Sequence, residues 1–557
     1  MKQILTFFLL LPVLTSGQIN PTARPNIILI IGDDLRYDSY DVSGGPNWFN
    51  TPAINRIAEE GAYFKNFFSV YAVCVPSRSS IMTGLYPHNN GAYDNFEGYD
   101  LDLPTIGTIL NSAGYHTAMI GKYDVYENPQ PGWDYWMAKK GKTEYENAEW
   151  NVNGTDKLIP GHVTQIINDS SNKMVAKLDT PFMICIEHQT PHQPVIPLPQ
   201  DVGKYADEPM PIPSNFVAFN YLYPSFLYQR PFYTEVDALA EDMQAYFEGI
   251  QGIEDNVDQI FKILTLRNLL QNTLIMYTGD NGIIQGEHLL RGKGLPYEPS
   301  MRVPMFIRYP EWFTPNTVSK KQIGLNIDIA PTLLEAAGIK AAPYKFPGYS
   351  LHQLELGNVK RDMFLFENIK IFHPNDDESF TPSSRTIRTK SYKYNWYQCI
   401  EQTEEFFNLD KDPEENFNLI HDPTYAVKIE QYRHLLDSMR IALHDTVSAD
   451  TFKKPCKLIS DPRPYELAYI VQKSGMTLNI SPSPFSDNII VKILTENQSD
   501  VEVMLYNLLG QLLVKKVAHK ESGYYDTTIN GNNLPPGIYL VRVTQNGDMS
   551  SQYIFKN

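Results

Sequence analysis

Asn26-Ile27-Ile28-Leu29-Ile30-Ile31 runs straight into Gly32-Asp33-Asp34. An uninterrupted aliphatic run this short suits a strand buried on both faces, because a half-exposed strand would alternate apolar with polar residues. The design recurs downstream. Thr117-Ala118-Met119-Ile120 ends at Gly121-Lys122, Phe182-Met183-Ile184-Cys185-Ile186 ends near His188, and Leu274-Ile275-Met276-Tyr277 ends at Gly279-Asp280-Asn281. Helix-like segments lie between these runs, at 52–60 before Gly61 and at 328–337 before Gly338. Strands alternating with helices predict an α/β fold with a mostly parallel sheet flanked by helices. Ligands bind such sheets beyond the carboxyl ends of the strands. Asp33, Asp34, Lys122, His192, Asp280 and Asn281 all follow such runs, so residues far apart in sequence are expected to share one site.

The pattern changes twice along the chain. The α/β region is read as residues 24–347, and residues 348–446 as a smaller α+β subdomain. There Arg385-Thr386-Ile387-Arg388 and Ser391-Tyr392-Lys393-Tyr394-Asn395-Trp396 alternate like antiparallel strands, and a helix at 425–444 closes the region. Residues 447–475 read as a linker rich in Pro and Lys. In 476–557, short β-like runs at 488–494, 501–508, 511–517 and 537–543 alternate with turn residues, which predicts an all-β sandwich.

Bulk properties narrow the partners. The net charge of −17 leaves no basic stripe to displace counterions, which excludes nucleic acid. An anionic substrate needs a local positive pocket against that field. Met1-Lys2-Gln3, an apolar run at 4–14 and Thr15-Ser16-Gly17 read as a secretory signal peptide over residues 1–17. No other stretch approaches the ~20 apolar residues of a membrane span. The four cysteines, Cys74, Cys185, Cys399 and Cys456, are too few for a disulfide framework in a chain of 557 residues. Cys185 reads as a small core hydrophobe. The aromatic, Pro-rich stretches 130–156 and 193–230 read as loops lining a substrate pocket.

The most informative segment is Cys74-Val75-Pro76-Ser77-Arg78-Ser79-Ser80-Ile81-Met82-Thr83-Gly84. Pro76 and Ser77 suit a first helical turn, which puts Cys74 at a helix N-terminus, where anions are stabilised. Arg78 adds a positive fork one turn later. Cys-x-Pro-Ser-Arg followed by an apolar helix and Thr-Gly resembles the signature of the formylglycine-dependent sulfatases of the alkaline phosphatase superfamily. The resemblance implies that Cys74 is oxidised to formylglycine by a maturation enzyme, and that one hydroxyl of its hydrated gem-diol attacks sulfur while the other later expels sulfate.

Further matches follow in order along residues 25–419. Asp33-Asp34 and Asp280-Asn281 resemble the family's metal ligands. These oxygen donors suit Ca²⁺, with Mg²⁺ the less favoured ion, and not zinc. The resemblance puts residue 74 on the ion as well. Gly286-Glu287-His288, Gly292-Lys293-Gly294, Tyr297-Glu298 and Arg302-Val303-Pro304 match the later signature, with Lys293 on the sulfate and His288 supporting its loop. Lys122 matches the sulfate-binding lysine. His192, in Pro191-His192-Gln193-Pro194, is the candidate proton donor to the leaving alcohol. Phe406-Phe407-Asn408-Leu409-Asp410 and Asp412-Pro413-Glu414-Glu415-Asn416 look like the C-terminal subdomain motif. The chain departs from the pattern at Asp124, where many members carry a His that assists the formylglycine. Some branches, glucosamine-6-sulfatases among them, also lack it, and Asp124 is then a substrate contact or a turn residue. Gly132-Trp133-Asp134-Tyr135-Trp136 is similar to those enzymes too.

The last domain resembles a type IX secretion sorting domain, through Ser483-Pro484-Phe485, Leu505-Tyr506-Asn507-Leu508-Leu509-Gly510 and Leu534-Pro535-Pro536-Gly537-Ile538-Tyr539. The implied picture is an enzyme that crosses the periplasm, engages the type IX machinery and acts outside the cell or at its surface on a sulfated oligo- or polysaccharide. The alternatives are a phosphonate or phosphodiester hydrolase of the same superfamily and a non-catalytic sulfoglycan-binding protein.

Overall fold

The computed structural model describes residues 24–447 and 476–556, apart from 142, 217–223, 225, 228–231, 234, 370–380, 399–402, 482–484, 486, 496–499, 508–511, 520–522, 536 and 546–547. The expected leader, residues 448–475 of the expected linker, Cys399 and Cys456 lie outside the described residues. A ten-stranded sheet forms the centre. In chain order its strands are β1 (Asn26–Gly32), β2 (Ala62–Phe64), β3 (His116–Gly121), β4 (Tyr135–Lys139), β5 (Glu149–Val152), β6 (Thr155–Leu158), β7 (Phe182–Glu187), β8 (Thr273–Gly279), β9 (Met305–Arg308) and β10 (Thr317–Ser319). Across the sheet the order is β10-β2-β9-β8-β1-β7-β3-β4-β5-β6. The central strands β8, β1, β7, β3 and β4 are parallel, and the antiparallel pairs lie outside them.

The apolar run of β1 has a direct structural cause. Ile28 and Ile30 feed one core, and Ile27, Leu29 and Ile31 feed another on the opposite face. Helices α1 (Pro52–Glu59), α3 (Val163–Lys177) and α4 (Val236–Leu266) pack into the first core. Helices α2 (Cys74–Thr83) and α5 (Ile329–Ala336) pack into the second. Both sides of every central strand are therefore covered, so no alternation with polar residues survives. The sequence reading did not single out α4, a helix of 31 residues.

Register decides where the site falls. Ile31 is level with Glu187, Gly32 with Gly279, and Gly121 with Glu187. The carboxyl ends of β8, β1, β7 and β3 therefore finish side by side, at the change of direction about β1 where ligands bind in open α/β sheets.

One expectation is corrected. The 130–156 stretch is largely sheet: it supplies β4 and β5 and leads through a turn into β6. The turn carries positive φ at Asn153 and Gly154, 49° and 83°. Asn-Gly is a strong hairpin signal, and the strands beside it are half solvated. Part of the 193–230 stretch lies outside the described residues.

Beyond the large sheet, β11 (Met363–Asn368), β12 (Ser384–Thr389), β13 (Tyr392–Tyr397) and β14 (Thr403–Asn408) form an antiparallel sheet, covered by α6 (Ala426–Ala442). Its core is continuous with Phe68, Val70, Met301 and Leu325 of the α/β region. Next come β15 (Met476–Ser481), β16 (Asn488–Thr495), β17 (Asp500–Asn507), β18 (Leu512–His519), β19 (Gly523–Asn530), β20 (Gly537–Gln545) and β21 (Asp548–Lys556). They make two antiparallel sheets, β15-β16-β19 and β18-β17-β20-β21, which share one core through Ile489, Val491, Val503, Leu505 and Val541. Among the described residues no helix is long and apolar enough to cross a membrane.

Candidate active site

Cys74 is the first residue of α2, and Val73, with extended backbone, precedes it without a side-chain cap. The helix therefore puts its positive dipole end beside residue 74, while Asn95 Oδ1 accepts the Val75 N–H at 3.1 Å. Ser77 fastens this end, donating through Oγ to the Asp280 carbonyl and lying 2.9 Å from Ser69 Oγ. Asn326 Nδ2 donates to Ser77 Oγ at 3.0 Å.

The sequence-distant candidates converge on Cys74. Lys293 Nζ donates to Cys74 Sγ at 2.9 Å and pairs with Asp34. Cys74 Sγ lies 3.4 Å from Asp33 Oδ1, and Lys122 Nζ pairs with Asp33. Asp280 Oδ1 accepts the Asp34 N–H at 3.1 Å, and Asn281 Nδ2 donates to Asp34 Oδ1 at 2.6 Å. His192 Nε2 stands 4.0 Å from Asp34 Oδ2. Tyr145 donates to the His192 carbonyl at 2.8 Å and so fixes that loop. Asp124 Oδ2 stands 3.8 Å from Lys122 Nζ, on a backbone with φ of 65°.

Lys122 owes its place to Gly121. Gly121 has φ of 120°, and a Cβ there would lie 2.0 Å from the Glu187 carbonyl oxygen, so only glycine lets the chain turn toward the site. His288 is elsewhere in its duties: it packs on Tyr297 and lies 3.4 Å from Asn215 Nδ2, which fits loop support. His188 is buried against Asn256 Oδ1 at 3.1 Å and is structural as well.

One group escaped the sequence reading. Glu187, the last residue of β7, is fully buried and accepts from Arg78 Nη1 at 2.5 Å. Its signal was a charge closing an apolar strand, directly after Ile186. Arg78, expected as a fork toward the anion, is itself fully buried, with Nε 2.9 Å from Asp280 Oδ2 and Nη2 3.5 Å from Asp33 Oδ2.

The electrostatics follow from burial. Burial pushes the Asp33 carboxyl up, yet Lys122, His192, Lys293 and Arg78 together hold it well below the usual range. Asp280, buried beside Asp33, is pushed up to about 6 despite Arg78. Burial, reinforced by Asp33, pushes the Cys74 thiol well above its ordinary value, although Lys293 and Lys122 pull the other way. An unmodified thiol held in this form is a poor nucleophile. Burial pushes His192 down, against the pull of Asp33.

The donors fit a divalent cation. Asp33, Asp34 and Asp280 each bring a carboxylate oxygen within 4.8 Å of the others. Asn281 Oδ1 is buried with no hydrogen-bond partner among the described residues. A set of hard oxygens with a spare buried acceptor suits Ca²⁺ or Mg²⁺.

Comparison with known proteins identifies the family. Residues 25–339 match the sulfatase family, which is more than half of the chain, and the chain belongs to that family. It is a sulfuric ester hydrolase, and members of the family generally use a formylglycine and a divalent metal. Residues 286–442 match the N-sulphoglucosamine sulphohydrolase C-terminal region, and residues 479–557 match the secretion system C-terminal sorting domain. The chain is 28% identical over 486 residues to an N-acetylglucosamine-6-O-sulfatase of Bacteroides thetaiotaomicron, covering 75% of this chain and 86% of that protein. It is 28% identical over 447 residues to an ulvan-active sulfatase of Formosa agariphila, covering 74% and 80%. A solved structure in complex with its substrate D-glucosamine-2-N,6-O-disulfate superposes with a TM-score of 0.70 at 25% identity, covering 77% of this chain and 99% of that one.

Proposed function

We propose that this sulfatase is exported and removes sulfate from a sulfated oligo- or polysaccharide, with an N-acetylglucosamine-6-sulfatase-like preference. The observation that carries the reading is the position of Cys74: at a helix tip, 2.9 Å from Lys293 Nζ and 3.4 Å from Asp33 Oδ1, against the Asp33, Asp34 and Asp280 cluster. The substrate class rests on the relatives, which include an N-acetylglucosamine-6-O-sulfatase and a structure holding a sulfated glucosamine.

In this reading a maturation enzyme converts Cys74 to formylglycine, whose hydrated carbonyl supplies the oxygen nucleophile. Asp33, Asp34, Asp280, Asn281 and residue 74 hold Ca²⁺, with Mg²⁺ the less favoured ion. When bound, the ion supplies Lewis-acid polarisation of sulfate and nucleophile oxygens. Lys122 and Lys293 neutralise the sulfate, which an overall acidic protein cannot otherwise attract. Arg78 fixes the carboxylates. His192 delivers a proton to the leaving alcohol, and the push of burial makes its protonated form a stronger acid. Asp124, beside Lys122, contacts the sugar. The residues divide into a leader (1–17), a catalytic domain (24–347), its C-terminal subdomain (348–446), a linker (447–475) and a sorting domain (476–557) that engages the type IX machinery. The product is a secreted or surface enzyme that passes through the periplasm.

A screen of defined sulfated saccharides tests this, with sulfate release read by ion chromatography and a phosphonate monoester as counter-substrate. The expected result is release from 6-sulfated N-acetylglucosamine above its 3- and 4-sulfated counterparts. Preferred cleavage of the phosphonate would overturn the sulfoglycan assignment. Glycan binding without turnover, on protein whose residue 74 has the mass of an unmodified cysteine, would favour a binding protein.

A further inference from the structure

We infer that Glu187 is a positioning residue for sulfate-ester hydrolysis, acting through Arg78 to set the carboxylates that hold the divalent cation. The inference rests on the cation reading above. Glu187 closes β7 level with Ile31 of β1 and Gly121 of β3. Both its oxygens are engaged: Oε2 accepts from Arg78 Nη1 at 2.5 Å, and Oε1 accepts from Cys185 Sγ at 3.3 Å. Its backbone joins in, since the Glu187 carbonyl accepts the Lys122 N–H at 2.7 Å.

Arg78 spreads that anchor across the sheet. Nη1 also donates to the Lys122 carbonyl, Nε reaches Asp280 Oδ2 at 2.9 Å, and Nη2 lies 3.5 Å from Asp33 Oδ2. One planar guanidinium thus touches residues following β8, β1 and β3 and the last residue of β7. A guanidinium is rigid, so fixing one edge aims the others. Glu187 is the carboxylate partner of Arg78 that stands outside the proposed cation set. Without it, the buried guanidinium must find its counter-charge in Asp280 and Asp33. It would then compete with the cation for the oxygens the cation needs. Groups that orient metal ligands in this way typically shift metal affinity or activity by about 10–100-fold.

The test uses the full chain, its formylglycine occupancy checked by peptide mass and its metal stripped with EDTA. CaCl₂ binding is measured by calorimetry, and kcat and KM separately on a sulfated saccharide. We expect Glu187→Ala to weaken CaCl₂ binding by about 10–100-fold and to lower kcat far more than it changes KM. Glu187→Gln, which keeps the shape and an acceptor for Arg78, should fall between Glu187→Ala and the parent. A folded Glu187→Ala with parental CaCl₂ affinity overturns the inference, and a lowered melting temperature alone would mark a merely structural carboxylate. Should Glu187→Ala fail to fold, Glu187→Gln decides: weakened binding supports the role and parental binding overturns it. A parent that binds no CaCl₂ sinks the cation reading and this inference with it, whereas a binding parent with unchanged variants sinks Glu187 alone.

Discussion

Two of the buried charge clusters among the described residues are built on opposite principles. At the ends of β8, β1, β7 and β3, the carboxylates of Asp33, Asp34, Asp280 and Glu187 face three cations, Arg78, Lys122 and Lys293. Buried polar atoms are left over there, with Asn281 Oδ1 and His192 Nδ1 lacking partners among the described residues. Where the small sheet meets the α/β region, Glu298 and Glu415 face Arg388 and Lys393. Arg388 Nη2 reaches Glu298 Oε2 at 3.1 Å, and Glu415 Oε2 accepts the Glu298 N–H at 2.7 Å. Burial pushes carboxyls up in both places. In each cluster one carboxyl is nonetheless held low and one stays high, Asp33 against Asp280 in the first and Glu298 against Glu415, pushed up to about 8, in the second, so what separates the clusters is the count of charges. Uncompensated buried charge is costly, so it persists where a ligand completes it; a balanced cluster is complete without one. The first cluster is a site and the second is a clasp.

The largest effect should follow from the residue at the centre of the unbalanced cluster. Cys74→Ala is expected to cut sulfate release by more than about 1,000-fold while the melting temperature stays within a few degrees, because the residue is there for chemistry. Turnover that survives this change would end the proposed mechanism. Asp34→Asn should come next. It lowers the negative charge of the cluster, so activity should drop about 100-fold and the rise in melting temperature on adding CaCl₂ should shrink or vanish. A full CaCl₂-induced rise in that variant would place the cation elsewhere.

The two clusters were not equally legible in the sequence. Asp33, Asp34, Lys122, Asp280 and Asn281 could be picked out because each follows an apolar run that register then aligns. Cys74 and Arg78 lie in one short motif at a helix start. Glu187 was hidden because its meaning depends on Arg78, 109 residues away. The clasp was hidden for the same reason. Glu298 belonged to a recognised motif, but its partners Arg388 and Lys393 lie on β12 and β13, 90 and 95 positions on. The 130–156 stretch shows a different limit: half-solvated edge strands lack the continuous apolar signature that announced the central ones.

Breaking the clasp should cost stability and spare chemistry. Lys393→Met leaves Glu415 and Glu298 buried with one cation fewer. Removing one partner of a buried pair typically costs about 3–5 kcal/mol, so the melting temperature should drop by several degrees. The kcat/KM of the folded fraction should stay within about threefold of the parent, since the clasp touches no group of the site. A variant as stable as the parent but catalytically dead would erase the distinction between the clusters.

The smallest effect sharpens the same contrast through pH. Asp445 belongs to a separate paired cluster on the far side of the small sheet, balanced like the clasp, with Oδ2 2.8 Å from Arg385 Nε and 2.8 Å from Arg440 Nε. Burial pushes it up, but Arg385 and Arg440 prevail and hold it down at about 2. In the unfolded chain the same group titrates near 3.9, the ordinary aspartate value. Between these values the unfolded chain binds the extra proton, so stability rises with pH across that window. The contribution is complete above about pH 4 and is lost as pH falls toward 2. Asp445→Asn removes it. The gap in melting temperature between parent and variant should therefore be widest at pH 5–7 and should narrow steadily on going from pH 4 to pH 2.5. A gap that stays constant with pH would mean that Asp445 serves by shape and hydrogen bonding alone, and the charge balance that separates clasp from site would lose its support.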